Sequence, residues 1–376
     1  MSELHRLIKD LCPDGVEYKE LHEFLTIKNG SDYKKFGNGD IPVYGSGGII
    51  AYIDKFAFNK PSVLIPRKGS VDKLYYVDTP FWNVDTIFYT DIDTTKVIPR
   101  YVYYCLLREH LEQYNNAGGV PSLTQKVLNK VKIPVPSLEV QREIVRILDE
   151  YSEKVTALQH ELKKELDLRK KQYEYYRDKL LTFGDGVQRK SLGEIGKVSM
   201  CKRIMKNQTN SESGVPFFKI GTFGKTADSY ISFELFNEYK QKYSYPKKSD
   251  VLISASGTIG RTVIFDGKPA YFQDSNIVWI DNDESIVLNK YLYYFYQTNP
   301  WKISEGGTIA RLYNYDLTKI KIPVPPIEEQ KRIVKILDKF DSLCNDLTRG
   351  IPAEINARQK QYEYYRDRLL NFKEKQ

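Results

Sequence analysis

The chain has 376 residues, 41% hydrophobic and 28% charged, with a formal net charge of +8. That length exceeds one ordinary core, so two or more domains are expected, and the basic balance admits a polyanion such as nucleic acid as partner. Neither a membrane-spanning helix nor a disulfide framework is expected: no apolar run is long enough to cross a bilayer, Met1 to Arg6 is polar, and the four cysteines (Cys12, Cys105, Cys201, Cys344) are scattered and never form C-x-x-C. A reducing cytoplasm is the expected setting.

Leu4, Leu7, Ile8 and Leu11 recur at helical spacing, which predicts a short amphipathic helix over Ser2–Leu11, stopped by Pro13-Asp14-Gly15. Val16 to about Asp93 reads as short strands cut by Gly, Asn and Pro, among them Ile41-Pro42-Val43-Tyr44, Val63-Leu64-Ile65-Pro66 and Ile87-Phe88-Tyr89. Pro99 to Glu112 returns to helix and is broken by Gly118-Gly119 and Pro121. Thr124–Leu128 offers one more turn before the strand Ile133-Pro134-Val135-Pro136.

A long helix follows, with Ser137 as a suitable N-cap. Its apolar residues recur at seven-residue steps in two registers. One is Ile144, Tyr151, Leu158; the other is Leu148, Val155, Leu162, continued by Tyr176 and Phe183. Such a seam needs a partner helix. Unbroken, about 44 residues would span ~66 Å at the standard rise.

After Gly184-Asp185-Gly186, Val187 to about Asp283 is again strand-like: Val215 to Gly221, Val251 to Ser254, Thr262 to Phe265 and Ile277 to Ile280. Asn289 to Gln297 is a Tyr-rich helix, followed by Gly306-Gly307. A second Ile322-Pro323-Val324-Pro325 leads to Pro326, suited to a first helical turn, and to the registers Ile333, Phe340, Leu347 and Leu337, Cys344. Gly350-Ile351-Pro352 then predicts a break, because proline cannot continue a helix cheaply; Glu354 to Phe372 resumes.

The chain therefore repeats itself. Ile133 to Phe183 aligns without a gap on Ile322 to Phe372, at a constant offset of 189 (322 − 133), with about half of the positions identical. The strand-rich regions share an order of elements, Val63-Leu64-Ile65 opposite Val251-Leu252-Ile253 and Tyr101 opposite Tyr291, but little identity. Two unlike recognition modules on a common spacer would have this pattern.

No catalytic constellation emerges. Gly45-Ser46-Gly47-Gly48 lacks the ending of a Walker A loop, and no G-x-G-x-x-G opens a helix after a strand. Asn299-Pro300-Trp301 lacks the second proline of the adenine-methyltransferase motif, and Pro300 reads as a helix end. Pro13-Asp14 with Glu17 and Lys19 is spaced too tightly to place acids on separate strands, as the nuclease signature requires. The positive signal is basic and polar groups on loops beside aromatics. Tyr44, Ser46, Arg67, Lys68, Ser70 and Lys73 form one set; Lys202, Arg203, Lys206, Lys219, Thr222, Lys225, Ser254, Ser256, Thr258 and Arg261 form the other. Arg and Lys can meet phosphates or the guanine edge, and Ser and Thr serve either role; the alternative is a solvated loop surface. Tyr173, Tyr175, Tyr176 and Tyr362, Tyr364, Tyr365 could stack on bases but suit helix packing or protein contact better.

These residues resemble the specificity (S) subunit of type I restriction–modification systems. The stretches that carry the resemblance are Cys12 to Leu21, Ser249 to Arg261, both Ile-Pro-Val-Pro segments, Glu328 to Val334, and both Gln-Tyr-Glu-Tyr-Tyr-Arg-Asp tails. The first copy departs in having Ser137-Leu138-Glu139-Val140 where the second has Pro326-Ile327-Glu328-Glu329, and in lacking a Gly-x-Pro break. The resemblance implies an α+β protein with pseudo-two-fold symmetry. Target-recognition domains would occupy 1–136 and 184–325, with spacer helices at 137–183 and 326–376 packed antiparallel like a coiled coil. It further implies a non-catalytic subunit of a bacterial or archaeal cytoplasm that reads a bipartite double-stranded DNA target. Two methyltransferase (M) subunits and restriction (R) subunits would dock on it, bringing S-adenosylmethionine, ATP and Mg; the chain itself would hold no cofactor or metal. Candidate partner contacts are the duplicated Gln141, Arg142, Tyr173, Tyr176, Gln330, Lys331, Tyr362 and Tyr365. Two readings from other classes are a stand-alone nuclease or methyltransferase, and a helical scaffold that does not read DNA.

Overall fold

The first helix is α1 (Glu3–Leu11), with Leu4 buried and Leu7 and Ile8 against the same core. The computed structural model describes residues 3–114, 122–301, 311–346 and 348–375. The expected breaks at Gly118-Gly119, Pro121 and Gly306-Gly307, and the register position Leu347, lie outside the described residues. The chain divides into two units, Met1–Leu162 with Glu354–Gln376, and Lys163–Ala353.

In the first unit the strands are β1 (Tyr18–Glu20), β2 (Leu25–Asn29), β3 (Ile41–Gly45), β4 (Gly48–Ile53), β5 (Ser62–Pro66), β6 (Tyr75–Val77), β7 (Trp82–Asn83) and β8 (Ile87–Ile92). Then come α2 (Pro99–Arg108), α3 (Gln125–Leu128), β9 (Lys132–Pro134) and the start of α4 (Leu138–Leu181). A four-stranded sheet runs β2-β8-β5-β6, a three-stranded sheet runs β4-β3-β7, and β1 pairs with β9. All five residues of β5 are buried because that strand is flanked on both sides, by β8 and β6. Edge strand β2 alternates instead, with Leu25 and Ile27 inward and Thr26 outward. Helix α2 stops at Arg108, short of the expected Glu112, since His110 turns to φ 46° and Leu111–Tyr114 tightens into a 3-10 turn.

The second unit repeats the plan. After the end of α4 come β10 (Arg189–Ser191), α5 (Leu192–Ile195), β11 (Lys197–Ser199), β12 (Val215–Phe218), β13 (Tyr230–Ile231), α6 (Phe233–Lys242), β14 (Val251–Ser254), β15 (Thr262–Ile264), β16 (Tyr271–Phe272) and β17 (Ile277–Asp281). They lead to α7 (Asn289–Tyr296), α8 (Asn314–Lys319), β18 (Lys321–Pro323), α9 (Ile327–Asn345) and α10 (Ile351–Leu369). The sheets run β11-β17-β14-β15, β13-β12-β16 and β10-β18, matching the first unit strand for strand; each three-stranded sheet contains one parallel pair. Tyr101 and Tyr291 hold equivalent places, donating to the carbonyls of Pro134 and Pro323 at 3.1 Å in both units. Helix α6 corrects the reading of this region as strands alone: Ser232 caps it by accepting the Leu235 N–H at 3.2 Å.

Helix α4 runs 44 residues without a break, as its seam predicted, and the second copy breaks into α9 and α10 around Gly350-Ile351-Pro352. Pro326 is the N-cap of α9 rather than its first helical residue. Val140, Ile144 and Leu148 face the first core, and Ile333 and Leu337 the second. The heptad seam does not stay buried along α4. Leu158 is 41% exposed and Tyr176 37%, and the buried residues lie from Val140 to Val155 and from Tyr173 to Leu181. The reason is that each end has its own partner.

In the first unit Tyr151 meets Tyr362 and Tyr365 of α10 at ring separations of 5.7 and 6.0 Å, and Gln159 donates to Gln359 at 3.1 Å. In the second, Phe340 of α9 meets Tyr173 and Tyr176 at 6.4 and 5.6 Å. Both pairings are antiparallel, and they are the same aromatic trio at the 189-residue offset. Each unit is thus closed by a helix from the other repeat. The tail then returns to the start of the chain. Leu370 is fully buried in the first core, the Arg108 guanidinium donates to its carbonyl at 2.5 Å, and Lys375 N–H donates to Val16 O at 3.0 Å.

Candidate nucleic-acid interface

In each unit three chain segments meet at one end of the sheets. In the first unit they are the β3–β4 turn (44–48), the β5–β6 loop (67–73) and the segment 83–86. Thr86 ties them together: its Oγ1 accepts the Ser46 N–H at 3.4 Å and its carbonyl accepts the Arg67 N–H at 2.8 Å. The Tyr75 hydroxyl donates to Ser46 O at 3.3 Å, and its ring lies 5.9 Å from that of Tyr44. Burial, with Tyr52 and Asp78 nearby, raises the Tyr44 hydroxyl above the ordinary phenol range, so it remains a neutral donor. Lys68 and Lys73 are exposed, and the Arg67 guanidinium lies over the Phe88 ring at 5.7 Å.

The second unit builds the same cluster from 218–225, 255–261 and 273–276. The backbone ties match: Ile259 N–H to Gly257 O at 3.0 Å mirrors Val71 N–H to Gly69 O at 2.8 Å, and Leu312 N–H to Ala255 O at 2.8 Å mirrors Leu123 N–H to Arg67 O at 2.9 Å. On this shared backbone Lys73 corresponds to Arg261, and Lys68 to Ser256. The side-chain chemistry differs. Arg261 donates to Phe223 O at 2.9 Å, joining two loops, Lys219 pairs with Asp228 at 3.0 Å, and Arg203 with Asp274 at 2.8 Å. Lys202 lies over the Tyr243 ring at 5.1 Å, Thr222 Oγ1 closes its own turn onto Lys219, and Ser256 hydrogen-bonds Asn276 at 2.8 Å. Gly260 is required here: its φ is +80°, and an added Cβ would lie 2.0 Å from Trp301 Nε1. Trp301 thereby ends the Asn299-Pro300-Trp301 stretch in packing against Gly260 and Tyr296.

Ser254 is a correction. It is buried; its hydroxyl accepts the Arg261 N–H at 2.9 Å and donates to the Thr258 carbonyl, so it shapes the loop and has no surface to offer DNA. Sequence reasoning also missed the ties. Thr86, Gln273 and Asn276 lie in short polar runs just after the aromatic strands Trp82-Asn83 and Tyr271-Phe272, and that placement was the available signal. Ile49, Ile50 and Tyr52 on β4, each about half exposed, were missed because strand periodicity does not mark which face stays open.

The spacer candidates separate into two groups. Arg142 and Lys331 are exposed, and Tyr176 and Tyr365 are 37% and 43% exposed. Gln141 and Gln330 are fully buried and hydrogen-bonded inside their own units, while Tyr173 and Tyr362 are packed in the helix pairings. Gln141 and Gln330 have no accessible surface with which to touch a partner, and Tyr173 and Tyr362, at 7% and 9% exposed, spend most of theirs inside the helix pairings. Tyr175 and Tyr364, each 60% exposed, are the outward members of the duplicated motif.

The family described as the type I restriction modification DNA specificity domain matches residues 13–168 and again 184–357. The chain belongs to that family. This specificity subunit is 50% identical over 373 residues to a Haemophilus influenzae chain named as a type I restriction enzyme specificity subunit, spanning 95% of this chain and 96% of the relative. It is 37% identical over 305 residues to the EcoR124I/EcoR124II specificity subunit of Escherichia coli, covering 75% and 73% of the two chains. A solved structure described as the basis of complex assembly and conformational transition of the type I R-M system shares the fold at a TM-score of 0.61 and 18% identity, over 96% of this chain and 98% of that one. The subunit is accordingly the recognition component of its system rather than the catalytic one. Among the described residues no cluster of His, Cys, Asp and Glu could hold a metal ion, and no helix is long and apolar enough to cross a membrane.

Proposed function

We propose that this subunit reads a two-part DNA sequence, one part with each unit, and carries the subunits that modify and cut. The reading domains are 1–136 and 184–325; the spacers are 137–183 and 326–376. The observation that carries this is the pair of loop clusters: one backbone plan, two different sets of side chains. Equal scaffolds with unequal tips suit two unlike half-sites. Tyr44, Ser46, Arg67, Lys68 and Lys73 face one half; Lys202, Arg203, Lys219, Thr222, Ser256 and Arg261 face the other, through phosphates and base edges. The duplicated outward residues, Arg142 with Lys331, Tyr175 with Tyr364 and Tyr176 with Tyr365, give two equivalent docking faces, which suits two copies of one methyltransferase subunit. Restriction subunits join that assembly in the cytoplasm of a bacterium or archaeon. S-adenosylmethionine, ATP and Mg belong to those partners.

The test is to sequence methylated adenines in a host carrying this system with and without the gene for this chain. A motif of two short defined parts around an undefined gap, lost on deletion, is expected. A continuous motif, or one that persists without the chain, refutes the reading.

A further inference from the structure

At the foot of each spacer helix one glutamine is wholly buried. Gln141 Oε1 accepts the Ile98 N–H at 2.8 Å, while Nε2 donates to the carbonyls of Pro136 at 2.8 Å and Lys96 at 3.3 Å. Gln330 repeats this with Leu288 N–H at 2.9 Å, Pro325 O at 2.8 Å and Ile286 O at 2.9 Å. Each amide therefore binds the strand exit behind it and the approach to the Tyr-rich helix of its own domain.

Eight residues further on (149 − 141, and 338 − 330) a carboxylate makes a second attachment. Asp149 accepts from the Tyr104 hydroxyl at 2.5 Å and from Arg100 Nε at 2.8 Å. Asp338 accepts from the Tyr294 hydroxyl and pairs with Lys290 at 3.1 Å. Burial, and then the carboxylate, push both tyrosine hydroxyls well up, which keeps them donors. The two attachments on a helix lie about 12 Å apart along its axis.

Two fixed points determine a direction, where one determines only a place. The apolar residues between them, Ile144 and Leu148 in the first unit, also hold the helix, but apolar burial is non-directional. Hydrogen bonds weaken steeply off-axis. The same Gln, Asp and Tyr stand in both units, although the reading loops between them differ.

We propose that Gln141 with Asp149 and Gln330 with Asp338 are positioning residues: they set the angle at which each reading domain stands on its spacer helix, and thereby the length of the gap between the two half-sites. The inference rests on the two-part reading above and adds the groups that fix the gap.

The test uses the complete system in its host, with chromosomal Gln141→Leu and Gln330→Leu, and sequencing of methylated adenines. The half-site letters stay unchanged, and sites one base pair longer or shorter in the gap become methylated, as discrimination between gap lengths falls roughly tenfold. Val140→Ala, which thins the core beside Gln141 without touching its amide, lowers the melting temperature and keeps a single gap. If the Leu variants do not fold, the paired Asp149→Leu and Asp338→Leu variant, which removes the second attachment from both tyrosines and both cations, decides: widened gaps support the proposal, and a single gap overturns it. A single gap in folded Leu variants overturns it equally. A wild-type chain that yields no two-part motif overturns both this inference and the reading beneath it.

Discussion

Arg261 offers the sharpest probe of the second reading cluster. Its guanidinium has one donor committed to Phe223 O at 2.9 Å, and the side chain is only partly buried. Truncation to alanine removes that tether, worth about 1 kcal/mol of loop stability. It also removes a base contact worth about 1–3 kcal/mol of discrimination if the fork meets a base edge. At about 1.4 kcal/mol per factor of ten, recognition of one half-site weakens roughly 5- to 150-fold. Arg261→Lys separates the roles, because lysine keeps the charge and loses the fork. The assay is binding of the assembled methyltransferase complex to duplexes varied one half-site at a time, at fixed salt, with the methylated motif sequenced in parallel. Relaxation is expected at one or two positions of a single half-site, with Arg261→Lys resembling Arg261→Ala. Equal relaxation of both halves, or a uniform loss across all sequences that Arg261→Lys restores, refutes base reading by this residue.

Lys68→Ala with Lys73→Ala should weaken binding about uniformly across sequences and flatten the slope of log affinity against log salt by about 0.9 for each phosphate left without its lysine, read from a salt titration. Deleting Glu161–Lys164 from α4 shortens the helix by about 6 Å and should change the gap of the methylated motif while leaving both half-site sequences intact; an unchanged gap counts against the spacer role. Ile144→Ala and Ile333→Ala, each at a fully buried position, should cost about 2–5 kcal/mol in urea unfolding. Each should move the unfolding of its own unit first, as followed by hydrogen exchange; equal loss of protection in both units contradicts the division described above.

Much of this fold was legible because its signals are local or repeated. The 189-residue offset, the helix break just before Pro352 and the strand runs at Val63 and Val251 need no knowledge of neighbours. What escaped depends on the neighbours. Glutamine is ordinarily a surface residue, so nothing in the letters marked Gln141 and Gln330 as buried. Ser254 looked like a loop hydroxyl, yet the loop folds back on it. Within one Gln-Tyr-Glu-Tyr-Tyr-Arg-Asp motif the first tyrosine is packed and the second exposed, a split set by rotation against the partner helix, α9 for the first copy and α4 for the second, and not by residue type. Helix α6 escaped because its aromatic residues resemble the surrounding strands.

The tail that returns to Val16 has a consequence for synthesis. Nearly all of the second unit, 163–353, is synthesised before α10 and Leu370, which finish the first. The amino-terminal unit is therefore the last to be sealed, although it is made first, and until then its aromatic seam around Tyr151 lacks its cover. A chain truncated near residue 353 would lack that cover, leaving Tyr151 and the core site of Leu370 open in the first unit.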